Sequence, residues 1–155
     1  MIVLGLDTGT SCGWALSVDG HVTSGVAVFP ADKVRIGLRP LAFKRFLVET
    51  KARAGGHLDL VIYEKVWVHR SYKAAHVYGG FEALLTYWCE HHGIAYRSPG
   101  WQAVKKAATG NPHASKDEVV AGVRRWGFDP SNDDEADALA LLSIELGMDM
   151  TGLAA

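Results

Sequence analysis

Carboxylate side chains stand at three distant points of the chain, each beside an apolar run. Asp7 ends the run 2–7, Glu64 follows the run 58–63, and Asp134 and Asp137 lie in the segment NDDEADALALL. Carboxylate oxygens are ligands that Mg²⁺ prefers. Two such ions about 4 Å apart can clamp a phosphate ester, one activating a water and the other stabilising the leaving oxygen. If the fold gathers these acids, the site would suit phosphodiester hydrolysis.

Taken singly, most of these acids have a simpler explanation. An Asp before Thr-Gly-Thr is typical of a turn, and acids in a first helical turn complement the helix dipole. Asp137 is different because its neighbours in sequence are apolar, and a carboxylate in such a segment needs a partner or a metal. The i, i+3 spacing puts Asp134 on the same helical face as Asp137. Asp133, at i, i+4 from Asp137, shares that face, so either residue could be the ligand.

Hydrophobic periodicity and turn signals predict the elements that must position these acids. The predicted strands are 2–7, 13–18, 21–29, 58–63 and 94–97, and the predicted helices are 32–54 (starting near Pro40), 72–92, 99–108, 115–126 and 132–146. Asp19-Gly20 marks a hairpin. Ser98-Pro99 resembles an N-cap and first helical residue, and Ser115 to Glu118 a capping box.

An antiparallel hairpin unit followed by strand–helix alternation predicts an α/β fold. We expect a ribonuclease H-like mixed sheet of about five strands flanked by helices, forming one domain over residues 1–155. Apolar residues make up 48% and charged residues 21%, as in ordinary globular proteins. The apolar runs are too short for a membrane span, so we expect a soluble, cytoplasmic protein. Cys12 and Cys89 lack the spacing of a metal site or a disulfide scaffold.

Four segments, in this order, resemble the RuvC Holliday junction resolvases. They are GLDTGT, YEKVW, VKKAATG with HASKDEV, and DEADALAL, and the resemblance runs from Ile2 to about Ser143. It implies a metal-dependent endonuclease that acts as a homodimer on branched DNA and resolves four-way junctions by paired symmetric nicks. The products would carry 5′-phosphate and 3′-hydroxyl ends. No nucleotide cofactor and no membrane is implied.

The resemblance also implies roles for individual residues. Asp7, Glu64, Asp134 and Asp137 match the catalytic acids that bind two Mg²⁺ ions, for which Mn²⁺ would substitute. Lys105 and Lys116 match basic residues suited to neutralising charge in the transition state. Trp67 matches an aromatic residue that stacks on a base at the junction centre. The DNA contacts would include His69, Arg70 and Lys73, and the helix 72–92 is the candidate dimer interface.

The chain departs from the family pattern in two places. Thr8 stands where the family commonly has Pro, and the loop between Gly9 and Gly13 is one residue short. The segment 69–78 is rich in basic and aromatic residues. These features resemble shorter, phage-type members, so we expect a bacterial or phage-infected cell as the source. Their substrates can extend beyond four-way junctions, which leaves a broader debranching nuclease as an alternative.

Two further alternatives use the same opening motif. Resolvase-like proteins of ribosomal RNA maturation share it, and RNA cleavage would use the same acids. The motif also resembles the phosphate loop D-x-G-T-x-x-G of actin-like kinases. Those enzymes need two such domains, whereas this chain has 155 residues. A catalytically silent junction-binding subunit is not supported, because all four acids are present.

The formal net charge of −1 does not by itself favour a nucleic-acid partner. Setting the four proposed ligands aside leaves 13 acidic residues against 16 basic ones. The basic residues cluster within 33–53, 69–76, 105–116 and 124–125. Such a surface could bind a phosphate backbone.

Overall fold

The computed structural model describes residues 1–147 as one five-stranded sheet with helices on both faces. The strands are β1 (Val3–Asp7), β2 (Ser11–Val18), β3 (His21–Val28), β4 (Leu60–Tyr63) and β5 (Ala95–Arg97). Their order across the sheet is β3-β2-β1-β4-β5. The pairs β1–β2 and β2–β3 are antiparallel, and β1–β4 and β4–β5 are parallel. The predicted mixed α/β sheet is therefore confirmed.

Five helices cover this sheet. They are α1 (Leu38–Arg53), α2 (Tyr72–His92), α3 (Trp101–Thr109), α4 (Lys116–Arg125) and α5 (Asp133–Leu146). One core cluster packs α3, α4 and α5 against Val3 and Ile62, and a second packs α1 and α2 against Leu4, Leu6 and Val61. This division follows the two-residue alternation of side chains along each strand. No helix within residues 1–147 is long and apolar enough to cross a membrane.

Helix α5 lies unusually close to the sheet at two glycines. A Cβ on Gly13 would stand 1.8 Å from the carbonyl oxygen of Asp134, and one on Gly5 would stand 2.7 Å from that of Ala138. Only a residue without a side chain permits this approach. Gly5 and Gly13 thus bring the start of α5 against β1 and β2, next to Asp7.

Several element boundaries differ from those predicted. Strand β2 begins at Ser11 instead of residue 13, and α3 has Gly100 as its N-cap, so Ser98 does not cap it. Helix α1 begins at Leu38, and Val34 is 90% exposed. Before α1, Asp32 accepts hydrogen bonds from two backbone amides and forms a turn instead. Helix α2 runs without interruption through its paired glycines.

Candidate active site

Strand pairing places two of the predicted acids side by side. In the parallel pair β1–β4, Leu6 is opposite Tyr63, and the amide of Glu64 donates to the carbonyl of Leu6 at 3.3 Å. Asp7 and Glu64 are the next residues along these two strands, and therefore lie side by side at the carboxyl ends of β1 and β4. Ligand and catalytic sites in open α/β sheets lie at this edge.

A cleft of about 380 Å³ opens above these two strand ends. Helix α5 contributes Asp137 to it, α3 contributes Lys105, and the first turn of α4 contributes Lys116. The remaining lining residues are Arg70, Trp101, Val104 and Val119. Three of the four predicted acids and both predicted lysines thus share one cleft, although they come from five different elements or their ends.

The electrostatics of the cleft favour a bound cation. Burial, followed by repulsion from Asp137 and Glu64, raises the pKa of Asp7 well above its ordinary value. Burial, followed by repulsion from Glu64, raises the pKa of Asp137 to about 7. Burial also raises the pKa of Glu64, against the attraction of Lys105 and Lys116. A set of carboxylate oxygens whose negative charges repel one another fits a hard divalent cation.

The acids surround the cleft without converging on one point. Across residues 1–147, no three His, Cys, Asp or Glu side chains lie close enough to enclose one metal ion. Asp134 departs from the expected arrangement, because its carboxylate accepts hydrogen bonds from Ser11 at 2.5 Å and from Asn132 at 3.4 Å. Asp134 does not line the cleft, yet its charge still raises the pKa of Asp7.

The two lysines of the cleft have different surroundings. Lys116 forms an ion pair with Asp133, which lowers the pKa of that carboxyl. Asp133 is therefore engaged as an ion-pair partner at the rim. The ammonium of Lys105 lies 4.9 Å from the ring centroid of Trp101, within cation–π range. Of these residues, sequence reasoning missed Trp101, because its role depends on the packing of α3 beside the cleft.

The residues predicted to contact DNA lie on the segment between β4 and α2 and in the first turn of α2. Trp67 is 76% exposed, and the ammonium of Lys65 lies 5.3 Å from its ring. Arg70 reaches the cleft itself. His69 and Lys73 line a second cavity, of about 600 Å³, beside the cleft. Arg39 also lines this cavity and was not predicted, because it comes from the start of α1.

Glu135, an acid in the first turn of α5, does more than complement the helix dipole. The residue is only 7% exposed, and its carboxylate accepts hydrogen bonds from the hydroxyls of Ser24 and Ser131 and from the amide of Ser131. Burial raises its pKa, but these hydrogen bonds outweigh burial and hold it below its ordinary value. Glu135 ties α5 to β3 and does not line the cleft.

The sequence of this chain matches no protein-family model and no curated protein. Its structure is similar to that of Thermus thermophilus RuvC in complex with a Holliday junction substrate, with a TM-score of 0.80 and 23% identity. That match covers 99% of this chain and 97% of the other. The chain has the RuvC fold.

Two other solved structures share the RuvC fold with this chain. A second structure of Thermus thermophilus RuvC has a TM-score of 0.74 and 23% identity, covering 96% of this chain and 98% of the other. The yeast mitochondrial Holliday junction resolvase has a TM-score of 0.55 and 14% identity, covering 97% of this chain and 79% of the other. The RuvC fold therefore accounts for nearly the whole chain.

Proposed function

We propose that this chain is a divalent-metal-dependent endonuclease that resolves four-way DNA junctions. The observation that carries the proposal is the cleft in which Asp7, Glu64 and Asp137 face Lys105 and Lys116. The RuvC fold supports it, because a similar structure was solved in complex with a Holliday junction substrate. Action on DNA would place the protein in the cytoplasm of a bacterial or phage-infected cell.

Each side chain of the cleft has a proposed role. Asp7, Glu64 and Asp137 would hold two Mg²⁺ ions, or Mn²⁺ in their place, and Asp134 would join them on leaving Ser11. When bound, such ions activate a water and stabilise the leaving oxygen. The lysines Lys105 and Lys116 would balance the additional negative charge that develops on the phosphate.

The exposed segment beside the cleft would bind the branch of the DNA. The Trp67 ring projects into solvent and offers a stacking surface for a base, which is worth about 1–3 kcal/mol. Arg70, which lines the cleft, would contact the phosphate that enters it. His69 and Lys73, which line the second cavity, would contact the next phosphates of the same strand.

We propose a homodimer formed through α2, which would supply two active sites for paired nicks. Gly79 and Gly80 are exposed on α2, and a Cβ added to either would meet no atom within 4 Å. An apolar groove next to them is lined by Pro40, Phe81 and Leu84. A helix face of this kind permits close approach of a second copy related by a two-fold axis.

The test is a cleavage assay with labelled four-way junction, three-way junction, flap, linear duplex and RNA–DNA hybrid, each with Mg²⁺, Mn²⁺ or EDTA. We expect paired symmetric nicks in the four-way junction that require a divalent metal. Cutting of flaps and three-way junctions as well would identify a broader debranching nuclease. Activity on RNA alone would contradict the proposal and favour RNA processing.

The variant Asp7→Asn is the matched control for that assay. It removes one ligand charge and leaves the basic surface intact, so cleavage should be lost while the junction Kd stays within about threefold. Loss of junction binding together with cleavage would show that the acid supports the fold or the surface rather than the chemistry.

A further inference from the structure

The segment 64–67 joins the two parts of the proposed site. Glu64 lines the cleft at one end of this segment, and Trp67 projects outward at the other. The segment belongs to no helix, and two of its amides make sheet-like contacts: that of Glu64 donates to the carbonyl of Leu6 at 3.3 Å, and that of Lys65 donates to the carbonyl of Pro99 at 2.8 Å. Its remaining backbone groups need other partners to keep one conformation.

Tyr78 of α2 supplies two of those partners through a single hydroxyl. Its Oη donates to the carbonyl of Glu64 at 3.0 Å and accepts from the amide of Val66 at 3.3 Å. The ring is buried, with 8% of the residue exposed, and packs against His69 with ring centroids 5.0 Å apart. A buried hydroxyl used as both donor and acceptor restrains the backbone on both sides of Lys65.

Glu82, one turn further along α2, restrains the side chain of Lys65. Its Oε1 accepts from the ammonium of Lys65 at 2.5 Å and from the hydroxyl of Tyr63 at 3.1 Å. The same ammonium lies over the ring of Trp67. Residues at i and i+4 of one helix therefore hold both the backbone and a side chain of the segment.

We propose that Tyr78 and Glu82 are positioning residues, which fix the segment 64–67 so that Glu64 faces the cleft while Trp67 faces the DNA. This inference rests on the proposed function for its consequence in catalysis, but the restraint itself does not depend on what the protein cuts. It also links α2, the proposed dimer helix, directly to the backbone of a cleft acid.

The test compares Tyr78→Phe with Tyr96→Phe in the full chain. Tyr96 is a matched control because its hydroxyl donates to Glu90 at 2.9 Å, at the other end of α2. In Tyr78→Phe we expect the Val66 amide to exchange hydrogen about fivefold faster, as loss of a typical hydrogen bond predicts, with helix amides unchanged. Mn²⁺, followed by its electron paramagnetic resonance signal, should bind the free protein about three- to tenfold more weakly, because Glu64 is less well oriented.

A cleavage readout separates positioning from DNA binding. Tyr78→Phe should lower kcat on the four-way junction about tenfold and leave the junction Kd within twofold, because Glu82 still holds Lys65, whose ammonium lies over the ring of Trp67. The second variant, Glu82→Gln, should also speed exchange in the segment, with Glu90→Gln as its control. Unchanged Val66 exchange and unchanged Mn²⁺ affinity in Tyr78→Phe would overturn the proposal, as would faster exchange spread over the whole chain.

These readouts keep this inference apart from the proposed function. If the protein cuts no junction yet Val66 exchange responds to Tyr78→Phe and not to Tyr96→Phe, the restraint stands and the nuclease proposal fails. If junctions are cut but Tyr78→Phe matches the wild type in hydrogen exchange of the Val66 amide and in Mn²⁺ affinity, the nuclease proposal stands and the proposed restraint is wrong.

Discussion

Replacing Asp137 by Asn should stabilise the metal-free protein while removing its cleavage activity. The carboxyl of Asp137 is half-buried on α5 and faces Glu64 across the cleft. Burial, followed by repulsion from Glu64, raises its pKa to about 7 from an ordinary value of 3.8. A raised carboxyl pKa means that ionising this group costs folding free energy, so its neutral replacement should recover that cost.

The size of the gain follows from these two pKa values. By linkage, ionising Asp137 destabilises the folded protein by about 4 kcal/mol near pH 7 and by about 2 kcal/mol near pH 5. Below the ordinary pKa of an Asp carboxyl the effect is almost zero. The neighbouring carboxylates relax once one charge is gone, so we expect a measured gain of about 1–3 kcal/mol near pH 7. The wild type should therefore approach the variant in stability as the pH falls, because the folded protein then keeps its proton on Asp137.

The assay is urea unfolding of both proteins in EDTA at several pH values. Glu135→Gln is the matched control, since Glu135 lies on the same helix with its pKa held low by hydrogen bonds that outweigh burial. That variant should lose stability near pH 7. Adding Mg²⁺ should stabilise the wild type and leave Asp137→Asn nearly unchanged, since only the wild type keeps the full ligand set. A variant less stable than the wild type in EDTA near pH 7 would refute the reasoning.

Three other substitutions test separate parts of the structure. Gly13→Ala should lower the free energy of unfolding by about 3 kcal/mol, because its Cβ would stand 1.8 Å from the carbonyl oxygen of Asp134. Gly37→Ala is the control: a Cβ at Gly37 would meet no atom within 4 Å, so the free energy of unfolding should change little. Trp67→Ala should reduce the fluorescence change of a base analogue at the junction centre and leave Mn²⁺ binding unaltered. Lys105→Met should slow single-turnover cleavage about 100-fold with little change in junction Kd. An unchanged cleavage rate would remove Lys105 from the catalytic site.

The sheet was predictable because its signals are local. The apolar run before Asp7, the hairpin at Asp19-Gly20 and the run before Glu64 each define a strand, and their order indicates the mixed sheet. The position of Asp7 beside Glu64 then follows from parallel pairing of the two strands. The boundary before α1 was less predictable, because Ile36 continues the apolar pattern in sequence but is exposed in a turn.

The partners of the helix-start acids could not be predicted, because they come from distant parts of the chain. Asp133, Asp134 and Glu135 occupy successive positions with nearly the same local sequence. The structure gives them three different partners: Lys116 of α4, Ser11 of β2 and Ser24 of β3. Rotation of about 100° per residue points each carboxylate towards a different neighbour of α5.

The close approach of α5 to the sheet explains why this helix can serve both stability and the proposed chemistry. Glycines at positions 5 and 13 let the helix backbone reach the strands, so Glu135 can be anchored while Asp137 lines the same cleft as Asp7 and Glu64. The anchoring hydrogen bonds stabilise the fold with the carboxylate ionised, whereas the cleft acids repel one another. Glu135 thus fixes the position of α5, and Asp137, two residues further along, offers a carboxylate to a cation in the cleft. Glu135→Gln should lower the free energy of unfolding at every pH above the lowered pKa of Glu135. Asp137→Asn should impair only metal binding and cleavage.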